Sequence, residues 1–321
     1  MEDLLRIENL KTYYFVQGGV IKAVDGVTLT MKRGELLGLV GESGSGKSSL
    51  GLSIVRLVPP PGRIVDGRIM LNNLDVLKLP EKEFRRIRGK NVGMIFQDPL
   101  TSLDPLRRIE DQMVESILVH MKIDRKEARE IALKALERVG ISSDRIKDYP
   151  HQLSGGMRQR VMIAMATMLN PDLLIADEPT TALDVIVQSR IMDLLSELKE
   201  SMKMAILLIT HDLALVIERS DRVAVMYAGE LCEVGTSEEI SKDPLHPYTE
   251  LLLQSIPDIE KPKMKLKFIP GSPPDMRSPP SGCRFWPRCP KAMEICKRMP
   301  PNTFSLDGRI VRCHLYDGER R

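Results

Sequence analysis

Two stretches of this chain carry residues suited to gripping phosphate. The first, GESGSGKS from Gly41 to Ser48, fits G-x-x-x-x-G-K-[ST]. Glycines at such spacing let backbone N–H groups converge on phosphate oxygens at the start of a helix. Gly41, Ser43, Gly44, Ser45, Gly46, Ser48 and Ser49 are the candidate triphosphate contacts. Lys47 would reach the β- and γ-phosphates, and the Ser48 hydroxyl would hold Mg²⁺. The second stretch is LSGGMRQR, Leu153 to Arg160, where Ser154, Gly155 and Gly156 precede a helical pattern. A helix start of this composition is again ready for an anion. Since Lys47 already marks one phosphate site, a second such helix suggests a site completed by another chain.

Carboxylates come next. Asp177 and Glu178 end the apolar run LLIADE and fall at the carboxyl edge of a sheet, where open α/β sheets bind ligands. There Asp177 suits a Mg²⁺ ligand and Glu178 a general base for an attacking water.

Cysteines form the third group. Cys283, Cys289, Cys296 and Cys313 have five, six and sixteen residues between them. Zinc knuckles usually bring closer pairs, and four thiolates, one followed by Pro290, also suit an iron–sulfur cluster, so spacing alone leaves both metals open. His314 could replace Cys313 as a ligand. Cys232 falls in a predicted strand and reads as core.

The elements that must position these groups are readable from periodicity. GELLGLVG (34–41), DLLIADE (172–178) and AILLIT (205–210) are short apolar runs, as buried parallel strands are. LLRIENL and IKAVDGVTLTM alternate, as strands of an antiparallel sheet do. A helix is predicted from Asp124 to Gly140, with Asp124 and Glu127 as a capping box. A helical block (about 105–170) interrupts the strands, so the fold class is α/β. After about residue 255 a Pro- and Lys-rich linker leads into a small terminal module.

Length and charge set limits. The chain has 321 residues, 42% apolar, with 47 Lys and Arg against 44 Asp and Glu. That near balance argues against a nucleic-acid partner, although Phe285 and Trp286 beside basic residues could stack bases. The start lacks a basic segment followed by an apolar one, and no run approaches the roughly 20 apolar residues of a membrane helix. A cytosolic setting is expected, where clustered cysteines serve metals more often than disulfides.

With these motifs in order, residues 1–240 resemble the ATP-binding-cassette ATPases. LSGGMRQR is similar to the family's signature. MIFQDP places Gln97 where the family's glutamine touches Mg²⁺ and the attacking water. TALD places Asp184 in the loop facing the partner chain, and LLITHD places His211 as the switch histidine. Tyr14 resembles the aromatic residue that stacks on adenine, with Tyr13 as its rival.

The resemblance implies a RecA-like P-loop core with an antiparallel β subdomain and a helical signature subdomain (about 98–165). A small metal-stapled C-terminal extension (241–321) would follow. Each ATP would lie between the P-loop of one chain and Ser154, Gly155 and Gly156 of the other. DPLTSLDP after Gln97, DPLHPYTELLL around His246 and the terminal cysteines are similar to the ATPases of dipeptide, oligopeptide and nickel importers. That group implies a second, different ATPase chain, two membrane-spanning permease subunits and an extracytoplasmic binding protein. The ATPase would sit on the cytoplasmic face of the membrane. A soluble family member acting in repair or translation is the other reading; it lacks support from a long coiled-coil insertion or a second cassette. The likeness favours [4Fe–4S] over Zn²⁺ for the four cysteines. As a pure staple, that cluster would leave nucleotide binding by the first 240 residues independent of it.

Overall fold

The computed structural model describes residues 3–98, 102–181, 183–256 and 268–318. Its strands are β1 (Asp3–Val16), β2 (Gly19–Lys32), β3 (Leu36–Val40), β4 (Gly62–Leu71), β5 (Leu74–Asp75) and β6 (Val92–Ile95). They continue with β7 (Leu173–Asp177), β8 (Ala205–Ile209), β9 (Arg222–Tyr227), β10 (Glu230–Thr236), β11 (Thr303–Leu306) and β12 (Arg309–Arg312). The helices are α1 (Lys47–Ile54), α2 (Glu81–Ile87), α3 (Ile109–His120), α4 (Arg125–Arg138) and α5 (Gly155–Thr167). After them come α6 (Val185–Met202), α7 (Leu213–Arg219), α8 (Ser237–Lys242), α9 (Pro247–Gln254) and α10 (Glu294–Arg298). Among the described residues no helix is long and apolar enough to cross a membrane.

The chain divides into two compact units. One comprises residues 78–207 with two short segments, up to Leu4 and Lys32–Gly34; the other comprises Leu5–Met31, Glu35–Leu77 and the described part of Leu208–Arg321.

The second unit carries the phosphate loop. Every residue of β3 is buried, because an unbroken apolar run can be covered on both faces only inside a parallel sheet. Leu37 pairs with Arg222 and Val40 with Val225, which sets β3 parallel to β9. β10 turns back antiparallel to β9, and β12 pairs antiparallel with β10 through Glu233–Val311 and Val234–Ile310. β11 then pairs with β12. A separate antiparallel sheet pairs β1 with β4 and β4 with β5, matching the predicted alternation.

This arrangement corrects the expectation of a tail held only by metal. Residues 303–312 lengthen the sheet on which the phosphate loop rests. Phe285 is 1% exposed and packs its ring 5.1 Å from that of Tyr227 and 5.2 Å from that of Tyr248. Backbone pairing and an aromatic cluster therefore anchor the extension without a metal. Burial also removes Phe285 from any base-stacking role. The basic run KPKMKLK (261–267) lies outside the described residues.

In the first unit β6 and β7 run parallel, Val92 opposite Leu173 and Ile95 opposite Ala176. The predicted helix appears as α4. Asp124 Oδ1 accepts from the Glu127 N–H at 2.8 Å, and a Glu127 carboxylate oxygen accepts from the Asp124 N–H at 3.4 Å. Ala128, Ala132, Ala135 and Leu136 form its buried stripe.

Candidate functional site

The phosphate loop begins as β3 leaves the core. At Gly41 a Cβ would lie 2.0 Å from the Met226 carbonyl oxygen, and at Gly46 it would lie 1.9 Å from that of Ala23. Gly46 also has φ of 101°, which a side chain would strain. The motif glycines at these two positions thus answer to steric limits in the fold itself. Between them Ser43 and Gly44 are exposed. Lys47 begins α1 and is 5% exposed. Its Nζ donates to the Gly41 carbonyl at 2.8 Å and the Glu42 carbonyl at 3.0 Å. The ammonium is thus held inside the loop's own curve, where a phosphate can compete for it.

Two further predicted residues belong to this unit. Tyr14 pairs with Gly62, lies against it, and sets its hydroxyl 3.3 Å from Ser49 Oγ on α1. Tyr13 points elsewhere: its hydroxyl donates to Asp25 at 2.6 Å. The geometry favours Tyr14 as the aromatic neighbour of the phosphate loop. His211 is exposed two residues past the end of β8. The N–H of Thr210 donates to the Leu39 carbonyl at 3.2 Å, so His211 emerges beside the strand that feeds the loop.

Gln97, Asp177, Glu178 and Ser154 to Gly156 lie in the first unit. Asp177 ends β7 and is 5% exposed. Glu178 follows with φ of 46°, a left-handed conformation uncommon outside glycine and often met at functional sites. Its Oε2 accepts from Thr181 Oγ1 at 2.8 Å and from Gln97 Nε2 at 3.2 Å. A carboxylate fixed by two donors, one of them the predicted Gln97, is held in one direction. Thr181 had escaped the motif reading, though its place three residues after Glu178 was a usable signal.

Ser154 caps α5, its hydroxyl accepting from the Met157 N–H at 3.4 Å. Ser154 and Gly155 are exposed. The helix start therefore faces outward. Asp184 caps α6 through the Val187 N–H at 2.9 Å.

The four terminal cysteines are close enough to influence one another. Burial pushes the Cys283 thiol up to about 12 and the Cys313 thiol up to about 11, with the other cysteines of the set adding to each rise. Cys289 is raised for the same reasons. Backbone amides two residues on, at Phe285, Lys291 and Leu315, oppose those rises without cancelling them. The Met293 N–H lies 3.5 Å from the Cys296 sulfur. Among the described residues, however, no group of three or more His, Cys, Asp or Glu side chains is placed to hold a metal ion. His314 is occupied by Asp317 at 2.6 Å and the Met299 carbonyl at 2.8 Å, which removes it as an alternative ligand. Cys232 is buried in β10, as expected of a core residue.

The chain is similar to known proteins. The ABC transporter family matches residues 24–181, and the oligopeptide/dipeptide transporter C-terminal region matches 232–296. The dipeptide transport ATP-binding protein DppD of Bacillus subtilis (strain 168) is 47% identical, over 99% of this chain and 96% of its own. The chain belongs to the ABC transporter family. Its likeness to the oligopeptide transport ATP-binding protein AppD of the same bacterium is 50% identity, over 99% of this chain and 98% of the relative. Among solved ABC structures, a dimeric ATP-binding cassette in a post-hydrolysis state, bound to ADP and Pi, matches with a TM-score of 0.66. It is 29% identical and covers 73% of this chain and 98% of its own.

The motif reading also passed over the residues that dock the cysteine stretch. Arg284 pairs with Asp25 and, at 3.3 Å, with Glu230. Arg288 pairs with Glu42 of the phosphate loop at 2.6 Å. Two arginines flanking a buried phenylalanine were the available signal.

Proposed function

We propose that this chain is the ATP-hydrolysing subunit of an ABC importer for di- or oligopeptides, working peripherally on the cytoplasmic face of the cell membrane. The observation that carries the reading is the joint presence of a phosphate loop curled around Lys47 and a C-terminal region matching peptide transporters across 232–296. Residues 1–240 form the nucleotide-binding domain, with a helical subdomain near 98–165, and 241–321 form the extension. Its partners are a second ATPase chain, two transmembrane permease subunits and an extracytoplasmic peptide-binding protein.

In this reading the N–H groups of Gly41 to Ser49 and the Lys47 ammonium hold the triphosphate, and Tyr14 stacks on the adenine. Ser48, Gln97 and the buried carboxylate of Asp177 would hold Mg²⁺, which neutralises phosphate charge when bound. Glu178 takes a proton from the attacking water while Gln97 and Thr181 fix its direction. His211 monitors the γ-phosphate. Ser154, Gly155 and Gly156 complete the partner chain's ATP site, so the closed pair persists only while the γ-phosphate remains.

Cys283, Cys289, Cys296 and Cys313 would be the thiolate ligands of a [4Fe–4S] cluster, with Zn²⁺ as the alternative; as placed among the described residues they do not yet form a metal-holding group. What supports the reading is that these sulfurs lie near enough to raise one another's titration, as the ligands of one cluster must lie near one another.

Transport assays in vesicles holding the complete importer test the function. Lys47→Ala should bind ATP more weakly and abolish ATP-driven peptide uptake; undiminished uptake rules the reading out. Iron content and visible absorption of anaerobically prepared protein test the cluster, and metal-free protein in which all five cysteines titrate as free thiols after denaturation would exclude it.

A further inference from the structure

We propose that Arg288 is a positioning residue for the phosphate loop: its guanidinium neutralises and fixes Glu42, the loop's second residue. The inference rests on the ATPase reading and deepens it. Glu42 occupies a position the loop motif leaves open, yet it places a carboxylate on a loop that must accept a polyanion. Like charges repel, and more strongly in a partly desolvated site than in water. The structure supplies the counter-charge from the cysteine stretch. Arg288 Nη1 lies 2.6 Å from one Glu42 carboxylate oxygen and Nη2 lies 3.0 Å from the other. This fork-to-fork pair is directional as well as strong.

Arg288 is itself immobilised. Its Nε donates to the Pro270 carbonyl at 2.7 Å, and its Nη1 also reaches the Tyr227 hydroxyl at 3.2 Å. The side chain is 4% exposed, against 27% for Glu42. It ends a short 3₁₀ turn, Trp286–Arg288, one residue before Cys289. The buried ring of Phe285 sets the turn's position against Tyr227 and Tyr248.

Glu42 is consequently held at every polar group. Its side chain belongs to Arg288. Its N–H donates to the Tyr248 hydroxyl at 3.0 Å. Its carbonyl accepts from the Ser45 N–H at 3.1 Å and from Lys47 Nζ at 3.0 Å. The same residue thus links Arg288 to the ammonium that grips phosphate. Releasing the guanidinium would free the carboxylate to face the triphosphate and loosen the carbonyl that aims Lys47. The tail is not an independent staple; it acts on the nucleotide site through this one residue.

The test compares ATP affinity and steady-state hydrolysis of the full chain with its importer partners for wild type, Arg288→Met, Arg288→Lys, Glu42→Gln and the double variant Glu42→Gln/Arg288→Met. Arg288→Met should raise the KM and Kd for ATP about ten-fold while kcat changes little, the effect of one uncompensated charge. Arg288→Lys should recover part of the loss. The double variant, which lacks the repelling carboxylate, should recover most of it. Thermal melting identifies any variant that fails to fold; Arg288→Lys and the double variant then carry the comparison. Unchanged affinity in folded Arg288→Met overturns the proposal. So does a double variant no better than Arg288→Met, since that marks general loss of structure. A wild-type chain that binds no ATP would instead defeat the ATPase reading.

Discussion

Glu178 shows how much a single side chain depends on its backbone. Its backbone takes a left-handed φ of 46° directly after β7, and Thr181 and Gln97 hold one carboxylate oxygen. Replacing it with Gln keeps the shape and removes the proton acceptor. Glu178→Gln should therefore bind ATP as before while turnover falls roughly 10²–10⁴-fold, the usual contribution of a positioned base. Rapid-quench measurement of phosphate release decides it; unaltered turnover would remove Glu178 from that role. Lys47 could be nominated from the sequence by type and spacing on the turn from β3 to α1, and Asp177 with Glu178 by their place at the end of an unbroken apolar run. Thr181 and Arg288 have only a faint local signal, because their importance comes from partners the fold supplies, in one case 246 residues away.

At the level of elements, α9 is built around a buried histidine. His246 is 2% exposed and caps the helix by accepting the Tyr248 N–H on Nδ1 at 3.0 Å. A ring nitrogen that accepts must be unprotonated, and burial pushes the His246 imidazole down from its ordinary 6.5 to about 3. The unfolded chain therefore binds a proton that the folded chain refuses between those two values. Folded stability from this residue is complete above about pH 6.5 and declines as pH falls toward 3, by about 1.4 kcal/mol per pH unit. Chemical denaturation between pH 7.5 and 4.5 should show that decline, and His246→Asn, which can still cap without titrating, should flatten it. Equal slopes in both proteins would place the titration elsewhere. Helix starts and buried strands such as β3, β7 and β8 could be read directly, since caps and unbroken apolar runs are local signals. β11 and β12 could not. They are four residues each, and what makes them strands is pairing with β10.

The whole molecule raises the question of what the outward helix start of α5 faces. Ser154 is exposed, and Gly155 carries no side chain to cover the N-terminal amides. In the proposed assembly this surface belongs to a neighbour's nucleotide. Ser154→Arg would set a long cation there, while Ser154→Ala removes only the cap, a loss of about 1 kcal/mol. The isolated Arg variant should bind ATP at its own phosphate loop with affinity within about two-fold of wild type. In the complete transporter it should abolish hydrolysis and peptide uptake, whereas the Ala variant retains most of both. Isothermal titration of the isolated chain and phosphate release from the transporter separate the two effects. If the Arg variant loses affinity for ATP on its own, the helix start serves the chain's own nucleotide. If the transporter turns over normally, that surface meets no phosphate at all, and the shared site fails.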